Sequence, residues 1–126
     1  DKESQSNVLA LPLGVIFEDS YLYNLKDNDG NFRYVFFDNF ARENLTDHLA
    51  RITLYNACPV LPPNHGVVFT DSNTQSFTKD HVDREAPVVL KENVLAVCDQ
   101  TFLTEPFAGV TDNNQFISNI ADWIVS

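Results

Sequence analysis

Two cysteines, three histidines and a surplus of carboxylates are the groups in this chain able to do chemistry. A nucleophile must be activated by a base within hydrogen-bond reach and is commonly presented on a strained turn. Cys98, at the end of the apolar run Val94 to Val97, is the one placement that invites this role. No glycine flanks it to relax an elbow. His48, His65 and His81 are scattered through polar stretches, and none stands at a family-specific offset from Cys58 or Cys98. A Cys–His pair would therefore have to be made by tertiary folding, and the sequence assigns no catalytic residue.

Metal chemistry meets similar objections. The stretch DNDGN (27–31) suggests a calcium loop, but the spacing puts the first ligand at Leu25 and the closing carboxylate at Phe36, neither of which coordinates. A turn over Asn28 to Asn31 explains the same residues. Asp71, His81, Asp83 and Asp99 could converge on a cation, yet they follow no recognised ligand spacing, and solvated loop carboxylates are the better reading. No metal is expected. Four isolated glycines cannot build a phosphate-cradling loop, so no nucleotide cofactor is expected either.

Charge narrows the partners. Eighteen acidic against eight basic residues give a formal charge of −10, which repels nucleic acid and anionic lipid headgroups. The expected partner is an unidentified protein or small molecule. With 44% hydrophobic residues the chain can bury a core without crosslinks, so two free thiols are favoured over a Cys58–Cys98 bridge. No apolar run is long enough to span a membrane, so direct insertion of this segment is not expected. The length suits a single α/β domain over 1–126, and a start at Asp1 without any methionine suggests a segment of a larger protein or domain.

The elements follow from pattern. A short helix or turn around Val8 to Leu11 is halted by Pro12 and leads to a strand at Val15 to Phe17. Further strands are predicted at Tyr34 to Phe37, Arg51 to Tyr55 and Gly66 to Thr70, with Thr46 and Asp47 capping a brief helical turn. Asp71 to Glu85 reads as a long polar loop. The valine-rich runs at 86–90 and 93–98 read as central strands covered on both faces, joined through Lys91 and Glu92 as an antiparallel hairpin near the sheet edge. The clearest element is last: Asp112 and Gln115 form a capping box, and Phe116, Ile117, Ile120, Trp123 and Ile124 make the apolar stripe of a helix. The triplet Asn44-Leu45-Thr46 would accept a glycan in a eukaryotic secretory pathway.

The tail VLAVCDQTFLTEPFAGVTDNNQFISNIADWIVS (94–126) resembles the second half of glutamine-amidotransferase-like domains of unknown function. These occur in exported or membrane-anchored proteins of bacteria and archaea, including auxiliary components of gliding-motility-type ABC transporters. The positions that carry the resemblance are Asp99, Phe102, Leu103, Asn114, Phe116, Asn119 and Trp123. Upstream, LPLGVIFEDSYLYN, DNDGN and ENLTDHL are also similar to that half-domain. The resemblance implies a flavodoxin-like layered α/β sheet with a C-terminal amphipathic helix, an extracytoplasmic or membrane-associated location through parts outside this segment, and a non-catalytic binding, sensor or scaffold role. It also implies a missing first half, so a homodimer or a partner chain would complete the sheet. Cys98 departs from the pattern, standing where a glycine commonly precedes the acidic residue.

Asp71 and Asp99, on loops after strands, are the residues to expect at a ligand loop or in a structural role, and so is Asn119. A buried amide must find partners, so Asn119 is expected to bond the turn Asp99 to Thr101 and lock helix to sheet. The competing function is a hydrolase or amidotransferase-like enzyme acting on carbohydrate or peptide, with Cys98 or a loop carboxylate as the reactive group.

Overall fold

The computed structural model describes residues 11–76 and 84–126. The chain enters through a 3-10 turn, Leu11–Leu13, and Gly14 takes a φ of 82°, the left-handed conformation that ends such a turn. Ten short strands follow: β1 (Ile16–Phe17), β2 (Leu22–Tyr23), β3 (Tyr34–Phe37), β4 (Asn39–Phe40), β5 (Ile52–Tyr55), β6 (Val60–Leu61), β7 (Gly66–Phe69), β8 (Gln75–Ser76), β9 (Val88–Lys91) and β10 (Val94–Val97). The α-helix α1 (Asn113–Val125) closes the chain. Among the described residues no helix is long and apolar enough to cross a membrane.

Strands and a helix share one chain, so the α/β content stands, but the sheet differs from a flavodoxin-like one. Every strand pair among the described residues is antiparallel, whereas doubly wound folds are built on parallel strands joined by crossover helices. The largest sheet has the order β10-β9-β7-β4, and three two-stranded ladders join β1 to β6, β2 to β8 and β3 to β5. The β9–β10 hairpin forms as its apolar runs predict, with its turn one residue later than expected, at Glu92 and Asn93. Glu92 takes a φ of 56° there, the positive angle a two-residue hairpin demands. β10 is a border strand, which bears out the hairpin's expected place near the sheet edge, but it is not covered on both faces, since only Ala96 of its residues is fully buried. The polar stretch after Thr70 is not all loop, because β8 pairs with β2.

Two apolar clusters lie under these ladders. The larger gathers Leu22, Val35, Phe37, Ile52, Leu54 and Tyr55 with Phe102 and Phe116, the last two stacked at 5.7 Å. The smaller packs Val15, Val60, Phe69, Ala86, Val89 and Ala96. Gly66 marks the tightest approach beneath it. A Cβ there would sit 2.5 Å from the Phe69 ring and 2.7 Å from the Ala86 methyl, at the point where the β7–β9 register slips between Gly66 and Val68.

The cysteines correct the free-thiol expectation. Cys58 and Cys98 are joined in a disulfide, their Cα atoms 5.4 Å apart. The apolar content that argued against a crosslink is divided between two modest clusters. The bridge ties the segment entering β6 to the end of β10, where Cys98 also packs against the smaller cluster.

Candidate functional site

β5 is buried along its whole length, and one of its edges pairs with β3 from Tyr34↔Tyr55 to Phe37↔Ile52. The other edge meets side chains. The amides of Arg51, Thr53 and Tyr55, which point the same way because strand residues alternate, donate in turn to Asp112 Oδ2 at 3.0 Å, Asn113 Oδ1 at 2.9 Å and Asp99 Oδ2 at 2.8 Å. Asn113 Nδ2 returns a bond to the Thr53 carbonyl at 2.9 Å. A buried strand edge cannot leave its amides unpaired, and three side chains act here in place of a neighbouring strand.

Of the polar residues that the sequence singles out, Asp99 and Asp112 belong to this arrangement. Asp99 also accepts the Thr101 amide through Oδ1 at 3.0 Å. Burial raises its pKa above 3.8, and the hydrogen bonds it accepts from Tyr55, Thr101 and Phe102 oppose that shift. Next to it lies the Tyr55 phenol, whose pKa is pushed up to about 12, first by burial and then by Asp29, Asp99 and Tyr34. Asp112 does not cap α1 with its side chain, because its carboxylate holds the Ala50 and Arg51 amides instead. Asp71 closes its own turn, accepting the Asn73 and Thr74 amides and the Thr74 hydroxyl through one oxygen. Cys98, the reactive candidate, has its sulfur in the disulfide. His81 and Asp83 lie outside the described residues, and among those described no three metal-ligating side chains cluster.

Asn119 does lock the helix, but to a different element from the one expected. Its Nδ2 donates to the carbonyls of Leu45 at 3.0 Å and Asp47 at 2.8 Å, and its Oδ1 accepts from Gln115 Nε2 at 2.9 Å. The turn it holds is the 3-10 turn Asn44–Thr46. Thr46 and Asp47 cap that turn as expected: the Thr46 hydroxyl accepts the Glu43 amide at the start of the turn and donates to the Ala41 carbonyl at 2.7 Å, and Asp47 is the C-cap. His48 follows with a φ of 65°, a left-handed conformation that costs a non-glycine residue about 1–3 kcal/mol and clusters at ligand clamps and switch regions.

Between this turn and α1 lies a cleft of about 390 Å³. Asn44, Asp47 and His48 form one wall, and Gln115, Asp122 and Trp123 form the other. A second hollow of about 500 Å³ is lined by residues 40–44 and 46–49 and shares Asn44, Asp47 and His48. Trp123 corrects the sequence expectation: it belongs to neither apolar cluster and stands partly buried at the cleft, while Phe116, Ile117 and Ile120 provide the packed face of the helix. The sequence marked Asn44 only as a glycan acceptor and Gln115 only as half of a capping box, and passed over Asp122. The available signal was a helical spacing, Gln115, Asn119, Asp122 and Trp123 falling on one face of α1.

No family model, no curated protein and no solved structure matches this chain.

Proposed function

We propose that this chain is a non-catalytic binding or scaffold domain of an exported or membrane-associated protein, with its ligand received in the cleft between the 44–48 turn and α1. The observation that carries this reading is the Cys58–Cys98 crosslink. Disulfides persist in oxidising compartments, and this one occupies the sulfur of Cys98, one of the reactive groups the enzyme alternative offered. Asp99, the other candidate, is committed to two backbone amides. The family resemblance favours the same location and role. Flavodoxin-like layering would require parallel strands from another segment or a partner chain, and β10, at the border of the largest sheet, is the natural place to add one.

Thiol titration of the denatured protein, purified from an oxidising compartment without reductant, tests the compartment. No reactive thiol is expected, and two free thiols would overturn the reading. Native mass spectrometry of the same sample tests the assembly role, a homodimer being the expected species for a sheet completed between chains.

A further inference from the structure

We propose that the cleft between the 44–48 turn and α1 is a saccharide site that takes a pyranose ring against the Trp123 indole. The inference rests on the binding-domain reading and names its ligand class.

Chemistry narrows the occupant. Indole is the one large apolar surface in the lining, and around it stand Asn44, Asp47, His48, Gln115 and Asp122, all planar polar groups. A wholly apolar ligand would strip water from two carboxylates without pairing them. An anion would meet the same carboxylates with no lysine or arginine in the lining to offset them. What fits is a neutral ligand that donates several hydrogen bonds and carries one apolar face. A pyranose does both: its axial C–H groups lie on an aromatic face while its hydroxyls reach the rim.

The hydrogen-bond inventory agrees. Gln115 Nε2 is committed to Asn119, which leaves Oε1 as an acceptor. Asn119 has its own amide committed to Leu45 and Asp47, so it shapes the wall and holds the turn in place. Asp47 and Asp122 accept from hydroxyls, while Asn44 and His48 add donors. A cleft of about 390 Å³ lies within the range of small-molecule sites. Organic cations also suit the carboxylates, but an ammonium cage is built from several rings, and here one indole lines the wall. The pyranose has two sources, a free sugar or a glycan attached at Asn44, whose exposed side chain begins the Asn44-Leu45-Thr46 sequon on the rim.

Trp123 is the one tryptophan of the chain, so tryptophan emission reports on this cleft alone. Unglycosylated protein from a bacterial host is titrated with glucose, mannose, N-acetylglucosamine and their disaccharides. A saturable change in emission that is insensitive to ionic strength is expected for at least one of them. Asp122→Ala, read by fluorescence, and Trp123→Ala, read by calorimetry, should each weaken that binding about tenfold or more with circular dichroism unchanged. Protein from a glycosylating host separates the sources: if the attached glycan is the occupant, the indole is shielded from acrylamide, and free sugar binds only after enzymatic removal of the glycan or in Asn44→Gln. An emission change with arginine or choline that salt abolishes, and none with any sugar, overturns the saccharide assignment and leaves the cleft as a binding site. Silence toward sugars and cations alike overturns both.

Discussion

The β5–α1 region and the disulfide-tied region around β6, β9 and β10 solve one problem in different ways. Both must fix short strands whose backbone groups cannot be satisfied by a wide sheet. Around the disulfide the means are a backbone ladder, β10 on β9 on β7, and a covalent tie between Cys58 and Cys98. Around α1 the means are side chains: Asp99, Asp112 and Asn113 along one edge of β5, and Asn119 on the 44–47 turn. The first region resists unfolding through connectivity. The second does so through buried polar groups that must all be paired at once, which ties its stability to the exact side chains present.

Breaking the crosslink is expected to have the largest effect. Cys58 and Cys98 are 40 residues apart in sequence, and the chain-entropy model gives about 4 kcal/mol for closing a loop of that size. Cys58→Ala with Cys98→Ala should lower stability by about that amount in urea unfolding; a loss below about 1 kcal/mol would mean that the ladder alone holds the region. Next comes Asn113→Leu, which strands the Thr53 amide and carbonyl inside β5 and should cost about 3 kcal/mol, with proteolysis near β5 as a second readout. Asn119→Leu frees the Leu45 and Asp47 carbonyls, the latter near solvent, and should cost about 2 kcal/mol, its hydrogen-exchange effect confined to the 44–48 turn and α1.

The smallest effect depends on pH. Burial holds the Asp99 pKa above 3.8, so its contribution to stability is fully present below that value and is lost as pH rises through the folded pKa. The deficit of Asp99→Asn against the native protein should therefore be larger at low pH than at neutrality. A deficit that grows with pH instead would show that the accepted amides outweigh burial.

The sequence reveals elements better than it reveals their partners. Tyr34–Phe37, Ile52–Tyr55 and the β9–β10 hairpin are legible because runs of β-branched and aromatic residues between turn signals permit little else. The helix over Asn113–Val125 is legible from its periodicity. The pairing of strands distant in sequence is not, because only a short turn such as that between β9 and β10 fixes a strand's neighbour and direction locally. Asn119 was recognisable as a lock from its place in an apolar helix, but its partner, the 44–47 turn, is more than seventy residues away. Asp112 followed by Gln115 reads as a capping box by spacing alone, and the competing Ala50 and Arg51 amides come from across the fold. The cleft was least visible, since Trp123 at helical spacing reads as core until the packing of Phe116 and Ile120 shows which face is covered.

The contact at Gly66 has a consequence for how sequences with this fold can vary. A methyl group there must displace the Phe69 ring and the Ala86 methyl, both within one small cluster and beside a slipped register. No single substitution relieves both collisions. Saturation mutagenesis selected for folded protein should return glycine at this position. Escape should come only as combined changes in which residue 69 shrinks and residue 86 becomes glycine together with the replacement at 66, so the three positions should drift as a unit.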